Sequence, residues 1–201
     1  FNMDEYVGLG PDDPSSYRHF MRQHLFDSVP LKASHVPDGT APDLDRECAR
    51  YEELIRQAGG VDLFVAGLGC DGHVAFHEPG TSLLSRTHVA QLAPETVEVN
   101  SRGGGPVPSE ALTVGVGTVM DAREVLMLVT GRHKARALAQ AVEGGVSFMC
   151  TASAVLQQHP NVTVLADEAA VEELKVRTYR LKRPVPLLQR DDDAPESPTR
   201  R

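Results

Sequence analysis

The stretch from Val61 to Leu68 constrains this chain more than any other. It reads Val-Asp-Leu-Phe-Val-Ala-Gly-Leu, a short apolar run bounded by glycines, which is the pattern of a strand buried on both faces. Such a strand needs sheet neighbours beside it and helices over it, and the rest of the chain carries patterns for both. Leu112 to Val116 and Val125 to Thr130 are further runs rich in Val and Leu, and Asn161 to Ala166 resembles a fourth strand. Residues 14–26 set Tyr17, Phe20, Met21, His24 and Leu25 at helical spacing behind Ser15 and Ser16, two candidate caps. Residues 43–58 place Leu44, Cys48, Tyr51, Leu54 and Ile55 on one helical face and stop at Gly59-Gly60. Further helices are expected from about Arg132 to Val142 and from Glu168 to about Leu181.

Strands alternating with helices predict an α/β fold, Rossmann-like and doubly wound, with a largely parallel sheet whose ligands bind beyond the carboxyl ends of the strands. With 201 residues, 41% of them hydrophobic, the chain is long enough for one domain, expected over residues 1–183. Residues 184–201, with Asp191-Asp192-Asp193 ahead of Pro195, Ser197 and Pro198, have little to bury and read as a disordered tail. Gly103-Gly104-Gly105-Pro106 reads as a mobile loop.

Composition removes several classes of function. A net charge of −8 and an isoelectric point near 5.4 do not suit a nucleic-acid surface, which needs clustered Lys and Arg. No apolar stretch is long enough to span a bilayer, and the first residues lack the basic-then-apolar order of a signal peptide. Cys48, Cys70 and Cys150 are too few and too irregularly spaced for a disulfide framework, so a cytoplasmic location is expected. With no Trp and 5% aromatic residues, ligand recognition has to lean on polar groups and backbone.

Directly after the first run comes Gly69-Cys70-Asp71-Gly72-His73-Val74-Ala75-Phe76-His77-Glu78-Pro79. Glycines let the backbone turn tightly, and a His flanked by carboxylates is a titratable group with neighbours able to orient it. A lone His73 would as readily be structural; the cluster of Asp71, His73 and Glu78 favours a site. His73 and His77 stand four apart, yet the His-Glu-x-x-His order is absent and the glycines disfavour a helix, so no metal is expected. Cys70 is read as a small buried residue rather than a nucleophile.

Four blocks together are similar to the glucosamine-6-phosphate deaminase family: Phe1-Asn2-Met3-Asp4-Glu5-Tyr6-Val7-Gly8, Asp71-Gly72-His73 with Glu78-Pro79, Ala111 to Thr118, and Glu172 to Val176. The resemblance covers residues 1 to about 180. It implies an aldose-to-ketose isomerisation with loss of the amine, turning glucosamine 6-phosphate into fructose 6-phosphate and ammonia without metal or organic cofactor, in a homo-oligomer. By position, Asp4 matches the family's base between C2 and C1. His73 matches the group that opens the sugar ring, with Asp71 and Glu78 in support, and Arg102 and Lys134 match its phosphate-binding cations. On local sequence alone, Asp4 beside Glu5 would as readily be a solvated turn residue.

The pattern departs in three places. Family members carry a strand–helix–strand unit ahead of the Asn-Met-Asp-Glu block, with a phosphate-holding turn, so the chain is expected to be incomplete at its start. The segment from Arg102 to Val107 is shorter than the family's lid. His88, Ala90 and Gln91 replace most of the groups that bind an allosteric effector, although Thr81 and Ser82 keep hydroxyls, so weak or absent activation is expected. Two alternatives remain: a 6-phosphogluconolactonase, disfavoured by Phe76-His77-Glu78-Pro79, and a non-catalytic sugar-phosphate sensor or subunit-modifying fragment.

Overall fold

The structure, a computed structural model, describes residues 1–101, 107–175 and 178. A parallel sheet is made of β2 (Leu63–Gly67), β5 (Glu124–Val129) and β6 (Val162–Ala166), in the order β2-β5-β6. These are three of the four expected runs. Phe64, Ala66, Val125, Met127 and Val129 point into the main core, where α2 (Leu44–Gln57), α5 (Ala135–Glu143) and α6 (Ala152–Gln158) contribute Tyr51, Ile55, Leu138, Ala141 and Val155. β2 alternates instead of being buried throughout: Val65 is 46% exposed, and Leu128 and Leu165 from the neighbouring strands share its open face. The expectation of burial on both faces is therefore corrected, because only one face of this sheet is covered among the described residues.

A second sheet stands beside the first, and it is antiparallel: β1 (Asp4–Tyr6), β4 (Glu110–Thr113) and β3 (His88–Gln91) lie in the order β1-β4-β3. The run from Leu112 to Val116 splits, its first half ending β4 and Val116 opening α4 (Val116–Met120). β1 and β3 read Asp-Glu-Tyr and His-Val-Ala-Gln, too short and too polar to announce a strand. Tyr6, Phe76, Ala90, Leu92 and Ala111 form the small core of this second sheet. Another helix, α3 (Pro94–Ser101), follows β3 and buries none of its residues fully.

Capping sets where the first helices begin. Ser16 Oγ accepts from the backbone N–H groups of Arg18 and His19, starting α1 (Tyr17–Met21), which runs on as a π-helical turn over Arg22–Phe26. Asp43 caps α2 by accepting from Arg46 N. The expected helix from Glu168 is a series of turns over 168–174 among the described residues. Asp167 opens these turns: its carboxylate accepts from Ala170 N at 2.8 Å and from Gly131 N, and Ala170 N also reaches Asp167 O. The glycine loop at 103–105 and the tail from 184 lie outside the described residues. No helix among the described residues is long and apolar enough to cross a membrane.

One buried hydroxyl ties the first strand to the main core. Tyr51, fully buried on α2, has its hydroxyl 2.6 Å from Asn2 O and 3.0 Å from His35 O, so its single proton serves whichever carbonyl it faces. Tyr51→Phe should lower unfolding free energy by about 1–3 kcal/mol, the penalty for leaving a buried carbonyl unpaired. Urea denaturation measures it, and an unchanged midpoint would mean that the hydroxyl bears no load.

Candidate active site

β2 ends at Gly67, and the chain turns at once through Leu68 to Gly72 before presenting His73. Gly69 N–H donates to His73 O at 2.8 Å and Gly72 N–H to Gly69 O at 3.1 Å. A Cβ on Gly69 would stand 2.5 Å from the His73 ring, and Gly72 holds φ at 90° with Cys150 Sγ 2.4 Å from where its Cβ would be. Glycine alone satisfies both positions, so the turn lays the imidazole flat against backbone. Two residues on, Ala75 sits at φ 52°, a left-handed conformation that costs energy for a residue with a Cβ.

His73 Nδ1 lies 2.7 Å from Asp71 Oδ1, yet the two are not aligned as a hydrogen bond, so the contact is an ion-pair approach that a bound ligand could straighten. Burial works against charge on Asp71, but the close approach of the His73 ring and the His73 backbone N–H, which donates to Oδ1, outweigh it and hold the carboxyl below its usual range. Glu78 Oε1 accepts from Ala93 N at 3.0 Å. One ligand atom from each of Asp71, His73 and Glu78 falls within 4.8 Å of the others, so these are the residues that could face a cation. His77 plays no part in this: fully buried, it points Nε2 at Val114 O, 2.5 Å away, and burial pushes its pKa down to about 4.

Asp4 approaches from the other sheet. It is 7% exposed and Glu5 2%, so neither is the solvated turn residue that local sequence allowed. Glu5 is satisfied by Ser16 Oγ and by the backbone N–H groups of Tyr6, Tyr17 and Arg18, all within 2.9 Å. Asp4 carries no such set, and burial, followed by the charge of Glu5, pushes its pKa up to about 7.

A cavity of about 620 Å³ is lined by Asp4, Asp71, His73 and Glu78 together with Lys134, which belongs to a 3-10 turn (Arg132–Lys134) after β5. Five of the six residues singled out in the sequence thus share one space; the sixth, Arg102, lies outside the described residues. Cys70 is exposed in the same cavity, not buried, because the turn throws it outward, and Lys134 Nζ lies 3.4 Å from its sulfur.

The model of the family described as glucosamine-6-phosphate isomerases/6-phosphogluconolactonase matches residues 2–165. The chain belongs to this family. A family member from Porphyromonas gingivalis, a glucosamine-6-phosphate deaminase, is 55% identical over 185 residues, covering 89% of this chain and 70% of the relative. A solved monomeric glucosamine-6-phosphate deaminase has a TM-score of 0.82 at 42% identity, covering 85% of this chain and 73% of that one. The 6-phosphogluconolactonase of Trypanosoma brucei has a TM-score of 0.65 at 21% identity, covering 86% and 72%, and shares the fold alone. Within the isomerase/lactonase family the chain therefore stands with the deaminases.

Sequence reasoning misses Tyr17 from α1 and Thr96, Val99 and Asn100 from α3, which also line the cavity. Tyr17 reads only as an apolar helix position, and α3 has too weak an apolar pattern to be seen. Asp4 sets a sign that stability measurements can read. Its folded pKa of about 7 lies above the ordinary 3.8, so its contribution to stability is fully present below about pH 4 and lost as pH rises through 7. Asp4→Asn should gain on the parent chain from pH 4 to pH 8 by the order of a few kcal/mol, at about 1.4 kcal/mol for each tenfold change in the acidity of the carboxyl. Urea midpoints that stay parallel across that range would mean that Asp4 is not desolvated.

Proposed function

We propose that this chain catalyses the deaminating isomerisation of glucosamine 6-phosphate to fructose 6-phosphate and ammonia. The observation that carries the reading is that Asp4 on β1 and the Asp71–His73–Glu78 set in the loop after β2 face one cavity. An aldose-to-ketose conversion needs a proton moved between adjacent carbons and, before that, a ring opened by proton exchange at the ring oxygen. Two separate acid–base groups on opposite sides of one sugar can do both. In this reading His73, paired with Asp71, exchanges the proton that opens the ring. Asp4 then takes the C2 proton of the open-chain aldehyde and returns it at C1. The amine-bearing carbon becomes an imine, water adds there, and ammonia leaves.

The elevated pKa of Asp4 suits the task, since a base near neutrality is both ionised and strong enough to accept a carbon-bound proton. Lys134 in the cavity lining supplies a cation for the phosphate, with Arg102 as its proposed partner. A homo-oligomer acting in the cytoplasm is part of the proposal; the likeness to a monomeric deaminase sets a one-subunit enzyme against it, and sedimentation decides between them.

Ammonia release from glucosamine 6-phosphate by this chain, with fructose 6-phosphate formed in equal amount, is the deciding assay. Asp4→Asn should reduce kcat by about 10²-fold or more, on the scale of a lost general base. Lys134→Ala should raise KM with a smaller change in kcat. A chain that releases no ammonia yet binds a nonreactive alditol analogue would be a sugar-phosphate sensor instead.

A further inference from the structure

One tyrosine touches two of the elements that wall the cavity. Tyr6, two residues after Asp4 on β1, is 3% exposed, and its hydroxyl oxygen accepts from Asn100 Nδ2 at 3.0 Å, near the end of α3. From the other side Tyr17, at the start of α1, stacks on Tyr6 with ring centroids 5.2 Å apart and planes 14° apart. Tyr17 and Asn100 line the cavity with Asp4, while Tyr6 stands behind them. α3 has no fully buried residue, and of its apolar side chains Val97 packs, partly buried, against the small core. It is held at its start by Glu78, through Ala93 N, and near its end by Asn100 on Tyr6.

We propose that Tyr6 is a positioning residue of the reaction: its hydroxyl, bonded by Asn100, and its ring, stacked on Tyr17, hold α3 and α1 together over Asp4 and keep water from the carboxylate. The activity readout of this proposal rests on the deaminase reading above; the structural readout does not. Desolvation is the first cause of the unusual acidity of Asp4, so loosening this wall should return the carboxyl toward its ordinary range. The groups that face Asp4 are Glu5 and Tyr6 on its own strand, Tyr17 from α1 and Tyr51 from α2. Cys70, Asp71, His73, Glu78, Glu95 and Lys134 line the same cavity. Tyr6→Phe changes no charge among them, so any change it causes in the titration of Asp4 reports solvent access.

The test compares Tyr6→Phe, Asn100→Ala and the double variant of the full chain with the parent. Hydrogen exchange of the α3 amides should quicken about tenfold in each single variant and no further in the double, because both break the same bond. The acid limb of kcat/KM should move to lower pH by about one pH unit in Tyr6→Phe, with kcat falling more than KM changes. Unchanged α3 exchange in both single variants, or effects that multiply in the double, would overturn the proposal. If the parent releases no ammonia, the exchange arm still decides the role of Tyr6 while the functional reading fails. An active parent whose exchange and pH profile ignore both substitutions retains the function and loses the positioning role.

Discussion

The carboxylate of Glu5 is the fixed point of this site. It accepts a hydroxyl and three backbone N–H groups, two of them from the first turn of α1, in a setting almost closed to water. An anion at a helix start is favoured by the unpaired amides and by the helix dipole, and buried charge survives only when its lone pairs are filled. Glu5 meets both conditions, so β1 cannot slide without breaking the cap of α1. Its neighbour Asp4 inherits that rigidity without sharing the hydrogen bonds. One carboxylate is committed to structure while the next lines the cavity, and a desolvated carboxylate is a stronger base.

The parallel sheet contributes a different kind of order. β2 delivers a turn in which glycine at 69 and 72 is a steric requirement, and the turn presents His73 beside Asp71. From there the chain crosses to the antiparallel sheet, and three contacts mark the joint: Phe76 N on Thr113 Oγ1, His77 Nε2 on Val114 O, and Val114 N on Met3 O. The last lies one residue from Asp4, so the two halves of the cavity are stitched together through the end of β4.

The motif is legible in the sequence because its signal is local. A branched apolar run, glycines and alternating carboxylates and imidazoles each state their own geometry, and β2, β5, β6, α2 and the Asp71–His73–Glu78 grouping follow from them. The antiparallel sheet is not legible. Its strands are three or four residues long, and Asp4–Tyr6 is a strand because Leu112 and Thr113 pair with it, a cause more than a hundred residues away. The burial of Asp4 belongs to the same class of fact, since nothing beside it in the chain announces Tyr51 behind it or Tyr17 above it. Val65 misleads in the opposite direction: its run has the composition of a doubly covered strand, but cover is supplied by other segments and not by the strand itself.

Placing Asp4 on one sheet and His73 beyond the end of the other gives the cavity a property that neither residue has alone. Each group is rigid within its own layer, so the span between them is set by how the layers lie against each other, and small packing changes at Thr113, Val114 and His77 act on it as a lever. If the proposed roles of Asp4 and His73 hold, two proton transfers on one sugar become a measurement of inter-sheet distance, and substitutions far from any reacting atom would alter their timing while leaving both groups intact.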